Sequence, residues 1–192
     1  MGLLARFVIG VNMANKKHLA ILKQGVEAWN KWREKNSEVQ PDLRKADLHG
    51  ANLCKANFGE ANFRGANLRG TNLIEADFHR ANLRWADLPG ANLTKAMLCG
   101  ANLSQANLFR ACFVQANLID ADFSFADLVE ASFRGAELQG ASFCGSNLLG
   151  AHIFEANLSG AQLTVARIDY VKFVDGGTRK ISETANHQVL SS

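Results

Sequence analysis

From Leu43 to Phe173 a large apolar residue falls at every fifth position, and the residue two places before it is small, almost always alanine. Ala51-Asn52-Leu53-Cys54-Lys55 is followed by Ala56-Asn57-Phe58-Gly59-Glu60 and Ala61-Asn62-Phe63-Arg64-Gly65, in one phase to Ala166-Arg167-Ile168-Asp169-Tyr170. A period of five suits neither regular element. On an α-helix each step advances by roughly 140°, so Leu48, Leu53, Phe58 and Phe63 would scatter around the axis. On a straight strand side chains alternate between faces, and an odd period would send successive large residues to opposite sides. The pattern is consistent only if the chain turns a corner in every unit. Ala51 and Leu53 then point inward, Asn52 and Cys54 point outward, and the remaining residues make the corner.

With near-right-angle corners, about four units close a coil of about twenty residues, and the next coil stacks at the strand spacing of ~4.8 Å. This predicts a square β-solenoid of about seven coils, built from units that cannot bury an apolar face alone. Leu48, Leu68, Leu88, Leu108, Leu128 and Leu148 become one ladder of its core. Glycine recurs at the last position of the unit, as at Gly65, Gly90 and Gly140, where a tight turn can require positive φ. Asparagine or aspartate recurs between the inward pair, as at Asn62, Asp87 and Asn102, where it can bond the turn backbone and form ladders between coils. Thr71 and Ser146 are small replacements for the inward alanine.

Ala-(Asn/Asp)-(Leu/Phe)-x-x in unbroken tandem resembles the pentapeptide-repeat family. The resemblance implies an all-β solenoid, a right-handed quadrilateral β-helix, over roughly two thirds of the chain. Departures at Met97, Cys112, Ser132, Glu137, Ser142, His152, Gln162 and Arg167 all fall at the outward position between the inward pair, so they alter the surface and leave the core pattern intact.

The flanks are of another kind. Residues 1–15 form an extension expected to be flexible. Its apolar run from Phe7 to Val11 is too short to span a bilayer, which takes ~20 residues. The weakly basic start and short apolar core do not favour a cleaved signal, and Met13 is an alternative start. Residues 16–42 are expected to be a helix and a connector. Leu19, Leu22, Val26 and Trp29 recur at three and four from Lys16 to Lys35, with Asn15 as N-cap, Asn36 as stop and Trp32 widening the apolar face. Such a helix covers the open end of the first coil or, alternatively, pairs two chains. The β-helix is assigned to 43–175, and the polar residues 176–192 to a flexible tail.

Catalysis requires groups that converge in a pocket, and a core packed with leucine and phenylalanine has no lumen to hold them. No catalytic, cofactor-binding or metal-binding residues are assigned. His49, His79 and His152 project from three different sides, the glycines are spaced by fives and make no phosphate loop, and Cys54, Cys99, Cys112 and Cys144 lack metal-ligand spacing. Free cysteines suit a reducing compartment, so the chain is expected in the cytoplasm. A net charge of +3 implies neither a nucleic-acid field nor an acidic mimic.

Function is thereby referred to the outer surface. Residues twenty apart share a column: Arg44, Arg64 and Arg84 stack as a basic ladder, Phe109, Val129 and Leu149 as an apolar one, with Trp85 and Phe125 on the corner between. A soluble rod has no need of these outward aromatics unless they pack locally on neighbouring corners, and they are assigned as a partner surface. The expected role is a rigid protein-binding scaffold whose partner is another protein or a second copy, with no small-molecule substrate and no membrane span. The resemblance implies one alternative, since some relatives look like duplex DNA in size and charge and bind type II topoisomerases such as gyrase. That mimicry needs a strongly negative rod, which the basic first half disfavours. Direct nucleic-acid binding through the arginines is weaker still.

Overall fold

The computed structural model describes residues 13–174 and 177–178. Most of the N-terminal extension and most of the C-terminal tail lie outside the described residues. Two short helices, α1 (Lys16–Leu22) and α2 (Val26–Lys35), precede the repeat, and a small antiparallel pair, β1 (Lys172–Val174) and β2 (Gly177–Thr178), follows it. Between them the chain is a right-handed quadrilateral β-helix.

Each face of the square is so short that one residue per unit pairs with the coil above. Parallel bridges run from Asp42↔Asn62 to Asn147↔Arg167, and every partner lies twenty residues further on. Three backbone bonds serve each such step. Asn62 N–H donates to Pro41 O, Leu43 N–H to Asn62 O and Lys45 N–H to Arg64 O, at 2.8, 2.8 and 3.0 Å. A fourth closes the corner, where Ala46 N–H donates to Leu43 O at 3.0 Å. Buried peptide groups are thus paired by the stacking itself.

The corner imposes a strong condition on the last residue of the unit. From Lys45 to Tyr170 every one has φ between 50° and 71°, whether it is glycine or not. The glycines at this position therefore mark a requirement that the other residues meet under strain, at about 1–2 kcal/mol each for an L-residue in the left-handed region. Some of that cost is returned by the outward Asn and Asp residues. Asn62 Oδ1 accepts the Arg64 N–H at 3.1 Å, and the same turn recurs along the rod. Between coils, Asn67 Nδ2 donates to Asp47 Oδ1 and Asn107 Nδ2 to Asp87 Oδ1.

Inside, the alanines and the large residues are buried from Leu43 to Ile153, save Ala51 in the first coil, which is half-buried. All six leucines of the ladder from Leu48 to Leu148 lie in this core. Phenylalanines stack coil on coil, Phe113 on Phe133 and Phe123 on Phe143, with interplanar angles of 4° and centroids 5.0 and 5.1 Å apart. Phe123 meets Phe133 edge to face, at 87°. The alanine opposite leaves the width that such rings need. Where Ser146 replaces it, the hydroxyl donates back to Phe143 O at 2.8 Å, so no buried polar group is left over.

In place of one helix over Lys16–Lys35 the structure has two. Asn15 caps α1, its side chain accepting from Lys17 N–H and His18 N–H, but the helix stops at Leu22. Gly25 then takes φ 108°, outside helical space, and serves as N-cap of α2. The break turns α2 across the end of the first coil, and that coil's geometry takes precedence over the local three-four period.

Two outcomes follow. Leu108→Asp places an unpaired charge in a fully buried site and abolishes cooperative unfolding, read as loss of the circular-dichroism melt. Lys95→Gly, at φ 57° and in no ion pair among the described residues, relieves left-handed strain at a smaller backbone-entropy cost. It raises stability by up to about 1 kcal/mol in denaturant titration.

Candidate functional site

The lower rim of the first coil exposes the backbone groups that every later coil pairs. On two of its four sides the helices supply partners. Trp29 is buried completely, and its indole N–H donates to Asn57 O at 2.6 Å. Asn30 Oδ1 accepts the Asn57 N–H, and Arg33 Nη2 donates to Gly59 O at 3.0 Å. On the next side Asn15 N–H donates to Asp42 O, and the Asp42 N–H donates to Nδ1 of His18. Leu22 is also buried, while Leu19, Val26 and Trp32 are half-buried against the core. Trp29 stacks at a tilt on Phe58, 5.5 Å between centroids, so the core continues into the helical layer. Neither His18 nor Arg33 carried a sequence signal, because each meets its partner on the first coil across 24 and 26 residues of chain.

His18 binds as an acceptor, so it must be neutral at Nδ1. Burial lowers its pKa, opposed by the charge of Asp42 and assisted by that of Arg33. Arg44 holds the Asp42 carboxyl below its ordinary range through a 2.6 Å ion pair.

Along the rod the outward residues fall into columns at the coil spacing. Phe109, Val129 and Leu149 are half-buried and share one column, with the Arg110 guanidinium 4.8 Å over the Phe109 ring. Phe125, on the preceding corner, is 65% exposed. Its ring lies over Gly145, where any Cβ would collide with it. The two apolar columns are not contiguous. Asn107, Asp127 and Asn147 point outward between them, bridged coil to coil. Val165, 73% exposed, extends the corner column of Phe125.

Trp85 occupies that same corner column but has different company. The Arg64 guanidinium lies 4.2 Å from its ring centroid and that of Arg84 4.3 Å. Its indole N–H donates to Gln105 Oε1 in the coil above. Below it, Gly65 leaves the corner without a side chain, and a cavity of about 310 Å³ opens, lined by Arg44, Lys45, Arg64, Gly65 and Trp85. The signal for this cavity lies in the order Lys45, Gly65, Trp85 down one column, beside the basic ladder.

Among the described residues no group of His, Cys, Asp and Glu side chains is arranged to hold a metal ion. His79 pairs with Asp77 at 2.8 Å, and the four cysteines are free. None of the described helices is long and apolar enough to cross a membrane.

The model of the family described as pentapeptide repeats matches in 8 copies, at residues 42–80, 76–113, 111–150 and 131–167. Among solved structures, a pentapeptide repeat protein from the cyanobacterium Cyanothece 51142 is 29% identical, over 59% of this chain and 87% of that one, with a TM-score of 0.47. HetL of Nostoc sp. strain PCC 7120, a pentapeptide repeat protein involved in heterocyst differentiation regulation, is 30% identical over 71% and 82%, with a TM-score of 0.29. A pentapeptide repeat protein of the Arabidopsis thaliana thylakoid lumen is 29% identical over 59% and 72%, with a TM-score of 0.31. No curated protein matches the chain.

The neutral His18 acceptor makes the helical layer pH-dependent. Because its folded pKa lies below the ordinary value, the unfolded chain binds the proton first. The contribution is complete above about pH 6.5 and is lost as pH falls below that. Denaturant titrations at pH 7.5 and 5.5 give a smaller loss on acidification for His18→Asn, which keeps an acceptor without the titration; an equal loss in both proteins overturns this role.

Proposed function

Because the chain belongs to the pentapeptide-repeat family, we propose that it is a non-enzymatic, cytoplasmic scaffold that binds another protein, or a second copy of itself, along one edge of its rod. The observation that carries this reading is Phe125, 65% exposed on a corner whose backbone is fixed by ladder bonds above and below. Phe109, Val129 and Leu149 present a shallow apolar column across the Asn107–Asp127–Asn147 face, and Trp85 stands two coils below Phe125. Rigid placement removes most of the ordering cost that flexible loops bring to an interface. Burying one such side chain contributes ~1.5–3 kcal/mol, so two or three anchors suffice for specific association. The free thiols support the reducing compartment.

The other reading, imitation of duplex DNA toward a topoisomerase such as gyrase, has the basic ladder against it. Lys45, Arg64 and Arg84 would meet a basic DNA-binding groove with charge of the same sign. No described feature of the rod favours that reading over the apolar edge.

Phe125→Ser leaves the melt unchanged, and Phe109→Ser with Val129→Ser lowers stability by no more than about 1–2 kcal/mol, since these side chains are only half-buried. Combined, the three substitutions abolish self-association in sedimentation or recovery of the protein partner in pull-downs. Unchanged assembly together with unchanged recovery would sink the proposal. A collapsed melt would assign the column to structural packing.

A further inference from the structure

The corner beneath Trp85 is a different kind of place from the apolar edge. Lys45 and Arg64 line the corner and Arg84 lies against the Trp85 ring, and among the described residues none of the three has a carboxylate partner. Arg44, at the cavity's far wall, is held by Asp42 through its Nε and Nη2, at 2.8 and 2.6 Å. Arg84 Nε is buried and meets no hydrogen-bond acceptor among the described residues. A buried donor without an acceptor is unfavourable, and like charges held a coil apart repel, so an anion placed here would relieve the cluster.

The cluster is also held in place. Trp85 keeps both guanidinium groups near its ring and is itself tied to Gln105, so the forks do not have to be ordered when a ligand arrives. Gly65 supplies the room. Its backbone has φ 66°, which any side chain would strain, and a Cβ there would sit 3.6 Å from Lys45 Cγ.

We propose that this corner cavity binds a compact phosphate monoester, its oxygens taken by the Arg64 and Lys45 side chains against the Trp85 ring, with Arg84 stacked behind. A guanidinium fork matches phosphate geometry, and a dianion neutralises what a single carboxylate would leave charged. The volume of about 310 Å³ admits a phosphate with a small organic group. The positive ground is confined. Upward the basic column turns to Ser104 and Ser124, and Asp47 and Asp87 point outward on the next face. A polynucleotide needs a continuous basic track, and none extends from here.

The test is calorimetry on the full chain with O-phosphoserine and with inorganic phosphate as probes, alongside single-stranded DNA. The proposal expects one saturable site for O-phosphoserine. Arg64→Gln weakens it roughly tenfold, the effect of one charge-assisted hydrogen bond. Arg69→Gln, an arginine on another corner, leaves it unchanged. If inorganic phosphate binds as well as the ester, the ligand's organic part makes no contact and the monoester assignment fails. Equal losses from Arg64→Gln and Arg69→Gln would reduce the effect to diffuse attraction, and tighter binding of DNA that Arg64→Gln weakens would assign the corner to nucleic acid. Melts of both variants matching the wild type keep the comparison free of folding, and failure here leaves the apolar-edge proposal untouched.

Discussion

The backbone hydrogen bond from one coil to the next is what the rest of this protein depends on. Each coil has faces one residue wide, too short to count as strands, and no side of the square would persist alone. Leu43 N–H to Asn62 O, repeated without interruption, converts those fragments into a continuous wall. The bond also sets the terms for every other position. It requires a corner after each face, the corner requires a left-handed residue, and the left-handed residue leaves the neighbouring amide to be satisfied by the outward Asn or Asp. Alanine, the large apolar residue, the carboxamide and the glycine are four answers to one geometric demand.

This is why so much of the fold was legible from the chain. A repeating unit states its own boundary conditions many times, and the odd period excluded helix and strand before any resemblance entered. The helical layer was less legible, because Leu22 and Val26 keep the three-four spacing across Gly25, and only the position of the first coil decides that the helix must break there. The surface was legible as columns and illegible as contacts. Twenty-residue spacing put Trp85 and Phe125 on one line, yet Phe125 lies over Gly145 while Trp85 gathers Arg64 and Arg84. Which way a corner side chain leans depends on what is missing above and below it. Asp127 likewise separates Phe125 from Val129, a fact visible in the sequence once outward positions are traced around the square rather than up it.

The two candidate sites share a physical origin. A solenoid with a filled interior has only corners and outward positions with which to make contacts, and its backbone barely yields when they are used. Substitutions there change what the rod meets without changing the rod, which leaves the surface free to carry chemistry unrelated to the repeat. The cysteines show the same independence: Cys99 stands at such a position, its thiol pushed up by burial and donating to Asn117 Oδ1 at 2.9 Å.

The helical layer on the first coil also gives the molecule a direction in time. All ladder bonds span about the same short stretch of sequence, so the topology is local for a parallel β structure, and local topologies close quickly. Trp29, Asn30, Arg33 and His18 satisfy two sides of the starting rim from residues that leave the ribosome before the repeat does. A nascent chain therefore carries a finished template early, and each newly made coil condenses onto an edge already in register. Synthesis and assembly advance at the same end, and the rim on which the rod grows is the one that the next coil is about to cover.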